Sequence, residues 1–136
     1  MRKYEVYYGK GNKFGVAVGE PILSREPISF LAGVDPKTGT VVEEGHELFG
    51  KNISGKILFF PHGKGSTVGS YVMYSLKKNG CAPKAIVNVL ADPVVVVGAI
   101  IAEIPSVFNV KFDYTHVSKS KRCVVDSNSG IVKLIF

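Results

Sequence analysis

The first fifty positions read as short strand-like segments, alternating at the start, separated by glycine-rich corners, and the pattern changes to unbroken apolar runs after Gly55. Alternation over residues 2–8 predicts a strand, and Gly9-Lys10-Gly11-Asn12 reads as its turn. A short strand is expected over 15–18, ahead of a loop holding Pro21 and Pro27. Extended structure resumes at Ile28-Ser29-Phe30-Leu31. Asp35-Pro36-Lys37-Thr38-Gly39 is then a strong turn signal, with Thr40-Val41-Val42 as the answering arm of a hairpin.

The later pattern is of another kind. Lys56-Ile57-Leu58-Phe59-Phe60 is a continuous apolar strand, which implies burial on both faces. A glycine-rich loop follows, and Ser66 or Thr67 can cap the helix after it. Val68, Tyr71, Val72, Ser75 and Leu76 fall at helical spacing, with Lys77 and Lys78 at the negative end and Gly80 as the stop. A second buried strand over 85–90 completes a βαβ unit with parallel strands. Asp92-Pro93 opens another helix that Pro105 ends, despite the strand-prone run Val94-Val95-Val96-Val97. A strand over 107–112, a polar stretch over 114–121 and a terminal hairpin built on residues 123–136 close the chain. An antiparallel portion joined to a parallel βαβ core predicts a layered α/β domain.

Composition adds bounds. The 136 residues are 46% hydrophobic and 21% charged, the signature of one globular domain, which excludes intrinsic disorder. A net charge of +6 favours anionic partners: nucleic acid, a phosphorylated metabolite or an acidic protein surface. Two cysteines, Cys81 and Cys123, cannot by themselves make a four-cysteine zinc or iron–sulfur site, and they read as reduced thiols of a cytoplasmic protein. The residues after Met1 do not resemble a signal peptide, and the longest apolar run, 93–102, is roughly half a membrane span. The expectation is a soluble intracellular domain.

The stretch able to carry chemistry is Phe60-Pro61-His62-Gly63-Lys64-Gly65-Ser66-Thr67. Two glycines flank a lysine where a parallel strand should meet a helix start, the edge at which α/β domains present ligands. Glycines let a ligand approach the backbone, the N–H groups at a helix start attract anions, and Lys64 adds a full charge. The spacing matches neither a phosphate-binding Walker loop nor the dinucleotide fingerprint nor a GxSxG elbow. Physical chemistry alone favours the plainer reading, a glycine turn with a Ser/Thr helix cap.

Together with residues 29–39 (Ser29-Phe30-Leu31-Ala32-Gly33-Val34-Asp35-Pro36-Lys37-Thr38-Gly39) and 48–58 (Leu48-Phe49-Gly50-Lys51-Asn52-Ile53-Ser54-Gly55-Lys56-Ile57-Leu58), this loop resembles the aconitase X swivel domain. Ala82-Pro83-Lys84-Ala85-Ile86 and Ala91-Asp92 are later landmarks, and the likeness spans residues 1–136. The resemblance implies a single swivelling domain of β, β and α layers, occurring as the small subunit of a hydro-lyase. It implies a large partner subunit that carries an iron–sulfur cluster, none being bound by this chain. It also implies a serine base, which maps onto Ser66, and dehydration of (R)-5-phosphomevalonate to trans-anhydromevalonate 5-phosphate in a modified mevalonate pathway. Ordinary aconitases follow that serine with Ser-Arg; Thr67-Val68 stands here, so an arginine contact to substrate does not carry over.

Candidate substrate-binding residues are Gly63, Lys64, Gly65 and Thr67, with Gly33 and Asp35 from the other family-like loop. For Lys64 a solvated loop lysine is the alternative, and for Gly33 and Asp35 a glycine corner and an Asp-Pro turn. Asp92 can face the same edge or simply cap its helix, and His62 stands beside the loop. Residues 116–122, from His116 to Arg122, form a basic cluster that can guide substrate, bind the partner or remain solvated. The rival readings are another aconitase X dehydration, such as that of cis-3-hydroxy-L-proline, and a non-catalytic module binding anions or nucleic acid. Aromatic residues that keep to strand-like segments, without interleaved Arg or Lys, weigh against nucleic acid.

Overall fold

The computed structural model describes residues 3–136. In chain order the elements are β1 (Tyr4–Tyr8), β2 (Lys10–Gly11), β3 (Val16–Gly19), β4 (Pro21–Leu23), β5 (Ile57–Phe60), α1 (Gly69–Lys78) and β6 (Ala85–Asn88). These are followed by α2 (Pro93–Ile101), β7 (Ser106–Phe108), α3 (Tyr114–Lys119), β8 (Arg122–Asp126) and β9 (Ile131–Ile135). A four-stranded antiparallel sheet has the order β1-β9-β8-β3, and a five-stranded sheet the order β2-β7-β6-β5-β4. Within the second sheet β4, β5, β6 and β7 are mutually parallel, and β2 runs antiparallel at one edge.

The unbroken apolar strands explain the layering. Side chains alternate across a strand, so a strand hydrophobic throughout feeds two cores. Leu58, Phe60 and Ile86 point into the core beneath α1 and α2, where Met73, Leu76, Val95 and Ala99 join them. Ile57, Phe59, Ala85 and Val87 point the other way, toward Cys123, Val125, Val132 and Leu134 of the antiparallel sheet. The result is the expected mixed α/β fold: antiparallel sheet, largely parallel sheet, then helices.

Several local expectations hold. The terminal hairpin pairs Arg122 with Ile135 and Asp126 with Ile131. Asp92 Oδ2 accepts from Val95 N–H at 3.3 Å, with Pro93 at the first turn of α2. That cap, and the burial of Val94 and Val95, override the strand propensity of the valine run.

Other expectations are corrected. Residue 2 of the first expected strand lies outside the described residues, and the strand is seen as Tyr4–Tyr8. Pro21 opens a strand: β4 is an edge strand, where a residue without an N–H is tolerated. Residues 28–31 and 40–42 make only isolated bridges, Ile28 with Gly63, Val34 with Val41 and Thr40 with Asn52. Their apolar side chains are used otherwise, since Ile28, Phe30, Val34 and Val41 plug the helix-side core. The strand expected over 107–112 is Ser106–Phe108, and the polar stretch forms α3, capped by Asp113 through His116 N–H.

Candidate active site

Because β4, β5 and β6 are parallel, their C-terminal ends reach one edge, and the segments following them meet there. The loop after β5 is clamped from both sides. Ile28 N–H donates to His62 C=O at 3.3 Å and Lys64 N–H to Ile28 C=O at 3.1 Å. On the other side Val89 and Leu90 N–H both donate to Pro61 C=O. A Cβ on Gly63 would lie 2.6 Å from Asp92 Oδ2 and from Val95 Cγ2, so only glycine lets this loop rest against the start of α2. Gly65 has φ +91°, and a Cβ there would meet Ser29 Oγ at 2.8 Å.

Ser66 is exposed at this edge. Its Oγ accepts from Val68 N–H at 3.1 Å, and its C=O accepts from Gly69 N–H at 3.0 Å. Ser66 thereby caps the turn that leads into α1, as the sequence suggests, whereas Thr67 makes no cap. The helical turn begins before α1, and the residue flanking it, Val68, already has helical torsions and no side-chain cap. Ser70, which sequence reasoning passed over, is buried and donates from Oγ to Val94 C=O at 2.7 Å, tying α1 to α2 behind the loop.

Lys64 Nζ lies 2.9 Å from Glu43 Oε2. The pair borders a recess of about 330 Å³ whose lining includes Ser29, Gly33 and Gly65. Gly33 is buried, and a Cβ there would meet Ser29 C=O at 2.0 Å. Gly33, Lys64 and Gly65 are therefore gathered at one recess, with Ser66 next in the chain. Thr67 faces a different groove, between α1 and α2 with Tyr71 and Val97.

The fold does not bring Asp35 to this place. Asp35 Oδ1 accepts from Lys37 N–H at 2.9 Å in its own turn. The adjacent Pro36 C=O accepts from Asn79 Nδ2 at 2.8 Å, at the C-terminal end of α1. Ser66 precedes the other end of that ten-residue helix, about 15 Å away along its axis. His62 uses Nδ1 on Gly63 C=O at 2.7 Å. The basic cluster lies on the far side of the parallel sheet: Val117 is packed in the two-sheet core, and His116 Nδ1 is 2.8 Å from Glu5 Oε2. Ser29 and Glu43 are the site residues that sequence reasoning missed. Glu43 is 21 residues from Lys64, and no spacing signal marks it.

No group of three or more His, Cys, Asp or Glu side chains among the described residues is arranged to hold a metal ion. Cys81 and Cys123 sit in separate cores, and burial pushes the Cys123 thiol up to about 11 against an opposing hydrogen bond from Ser120. The two thiols are therefore not gathered into a shared ligand set. No helix among the described residues is long and apolar enough to cross a membrane.

The comparisons with known proteins agree with this architecture. The profile of the aconitase X swivel domain matches residues 7–134. A phosphomevalonate dehydratase small subunit of Methanosarcina acetivorans is 58% identical over 122 residues, covering 89% of this chain and 85% of that protein. The protein of that name from Methanosarcina mazei is 53% identical over 130 residues, covering 95% and 90%. Among solved structures, Thermococcus kodakaraensis aconitase X in its holo-form superposes with a TM-score of 0.88 at 49% identity, over 97% of this chain and 99% of that one. The solution structure of a UPF0107 protein gives 0.83 at 44% identity, covering 97% and 100%. On this evidence, the chain belongs to the aconitase X swivel domain family.

Proposed function

We propose that this chain is the small subunit of a hydro-lyase that dehydrates (R)-5-phosphomevalonate to trans-anhydromevalonate 5-phosphate, with Ser66 as the base. In this reading residues 1–136 act as one swivelling domain in the cytoplasm, and a large partner subunit completes the site and carries the iron–sulfur cluster. The name shared by the relatives from two Methanosarcina species, at 58% and 53% identity, supports the substrate and the two-subunit arrangement.

The observation that carries the role of Ser66 is its hydrogen bond. An N–H donated to a hydroxyl oxygen favours the alkoxide over the alcohol, and Val68 N–H is 3.1 Å from Ser66 Oγ. The helix start that follows works in the same direction, more strongly once a partner excludes water. The alkoxide takes a proton from carbon, the C–H electron pair becomes the new double bond, and hydroxide leaves the neighbouring carbon. Ser66 then returns its proton to solvent. Lys64 and the backbone at Gly63 and Gly65 hold the anionic substrate, Gly33 keeps the recess open, and Thr67 borders the loop. Asp35 is assigned no contact.

In the reconstituted two-subunit complex, Ser66→Ala is expected to lower turnover by about 100- to 10,000-fold, the range for loss of a general base. Association with the large subunit should be unchanged by gel filtration. Near-normal turnover in that variant would remove Ser66 from the reaction, and turnover by this chain alone would contradict the two-subunit reading.

A further inference from the structure

We propose that Glu43 is a positioning residue for Lys64, holding the ammonium over the recess at Ser29, Gly33 and Gly65 before substrate arrives. The inference rests on the reading of this edge as the substrate site. Lys64 stands between Gly63 and Gly65, so neighbours in the chain supply no side-chain wall for its flexible stem. Its Nζ is 2.9 Å from Glu43 Oε2, and the side chains are 44% and 31% exposed, respectively.

Glu43 is itself held by the fold. Val42 N–H donates to Gly33 C=O at 2.9 Å, which fastens this segment to the recess. Glu43 C=O accepts from His46 N–H at 3.3 Å, in a turn that buries His46. A Cβ on Gly33 would be 3.4 Å from Glu43 Oε1, so the carboxylate lies over the glycine floor while its other oxygen takes the lysine. A pair this open to solvent adds little to folding and is easily reopened. It is suited to presetting a side chain that a phosphate dianion must then engage.

The test is steady-state kinetics of the reconstituted complex with the phosphorylated substrate. Glu43→Gln, which keeps the shape and removes the charge, is expected to raise KM about threefold to tenfold with kcat within twofold, as for a charged contact in a partly shielded site. Glu43→Asp keeps the charge, shortens the reach and should give an intermediate KM. In Lys64→Ala the added Glu43→Gln change should have no further effect, because Glu43 acts through Lys64. A lowered KM in Glu43→Gln, or effects of the two substitutions that multiply, would overturn the proposal. If Glu43→Gln does not assemble, an unchanged KM in Glu43→Asp overturns it instead. Ser66→Ala, run alongside, separates the two levels. Lost turnover there with an unchanged KM in Glu43→Gln rejects the role of Glu43 alone, whereas full turnover in Ser66→Ala rejects the site beneath it.

Discussion

Adding one methyl group at Gly63 is expected to damage the site through the helix behind it. In Gly63→Ala the new carbon would sit 2.6 Å from both Asp92 Oδ2 and Val95 Cγ2, well inside the ordinary contact distance of about 3.5–4.0 Å. The loop cannot back away, because His62 and Lys64 are both bonded to Ile28. The Asp92 and Val95 side chains at the first turn of α2 must shift instead. That movement loses the Asp92 cap on Val95 N–H, worth about 1 kcal/mol. It also overpacks fully buried Val95, at about 1–3 kcal/mol. The sum, about 2–4 kcal/mol, is a large part of the stability of an ordinary domain. Asp92→Ala alone should cost about 1 kcal/mol, and because it removes one of the two overlaps, the double variant should fall short of the sum by about 1 kcal/mol. Urea unfolding followed by circular dichroism measures all three. A cost for Gly63→Ala below about 0.5 kcal/mol, or singles that simply add, would refute the contact between loop and helix.

Two further expectations separate the site from the scaffold. Gly65→Ala and Gly50→Ala both place a side chain at positive φ, +91° and +81°, and each should cost about 1–2 kcal/mol by thermal unfolding. Gly50 faces open space while Gly65 abuts Ser29 Oγ, so only Gly65→Ala should cut turnover, by more than about tenfold for a misplaced base. The Cys123 thiol gives a pH dependence. Burial raises its pKa in the folded state to about 11, above the ordinary thiol value near 8.5, so the folded state holds the proton more tightly. Its contribution to stability is complete below about pH 8.5 and declines as pH rises toward about 11. Urea midpoints should fall over that window, and less steeply in Cys123→Ala; equal slopes would contradict the assignment.

Much of the architecture follows from short-range pattern. The all-apolar run 57–60 and its counterpart from Ala85 to Asn88 are strands buried on both faces, and a helix between them leaves parallel pairing as the direct solution. Asp92-Pro93 wrote the start of α2 strongly enough to outweigh four consecutive valines. The glycine-lysine-glycine-serine loop was visible as candidate chemistry because strand ends and helix starts are local features. The errors fall where a segment's partners lie elsewhere. Residues 28–31 and 40–42 have strand-like composition, yet Ile28, Phe30 and Val41 from them fill a core built by distant helices.

Local pattern is enough to give the element types around residues 55–100 and to put Ser66 at a strand-to-helix junction, and it carries the family resemblance. Which charged residues share that junction depends instead on long-range packing. It brought Glu43 to Lys64 across 21 positions and left Asp35 at the other end of α1, although both belong to the same long connection between β4 and β5. Helix and strand signals repeat every few residues, whereas the position of an ion pair depends on how a connection without regular structure folds back. That folding is set by burial of Ile28, Phe30, Val34 and Val41 against helices the connection does not contain.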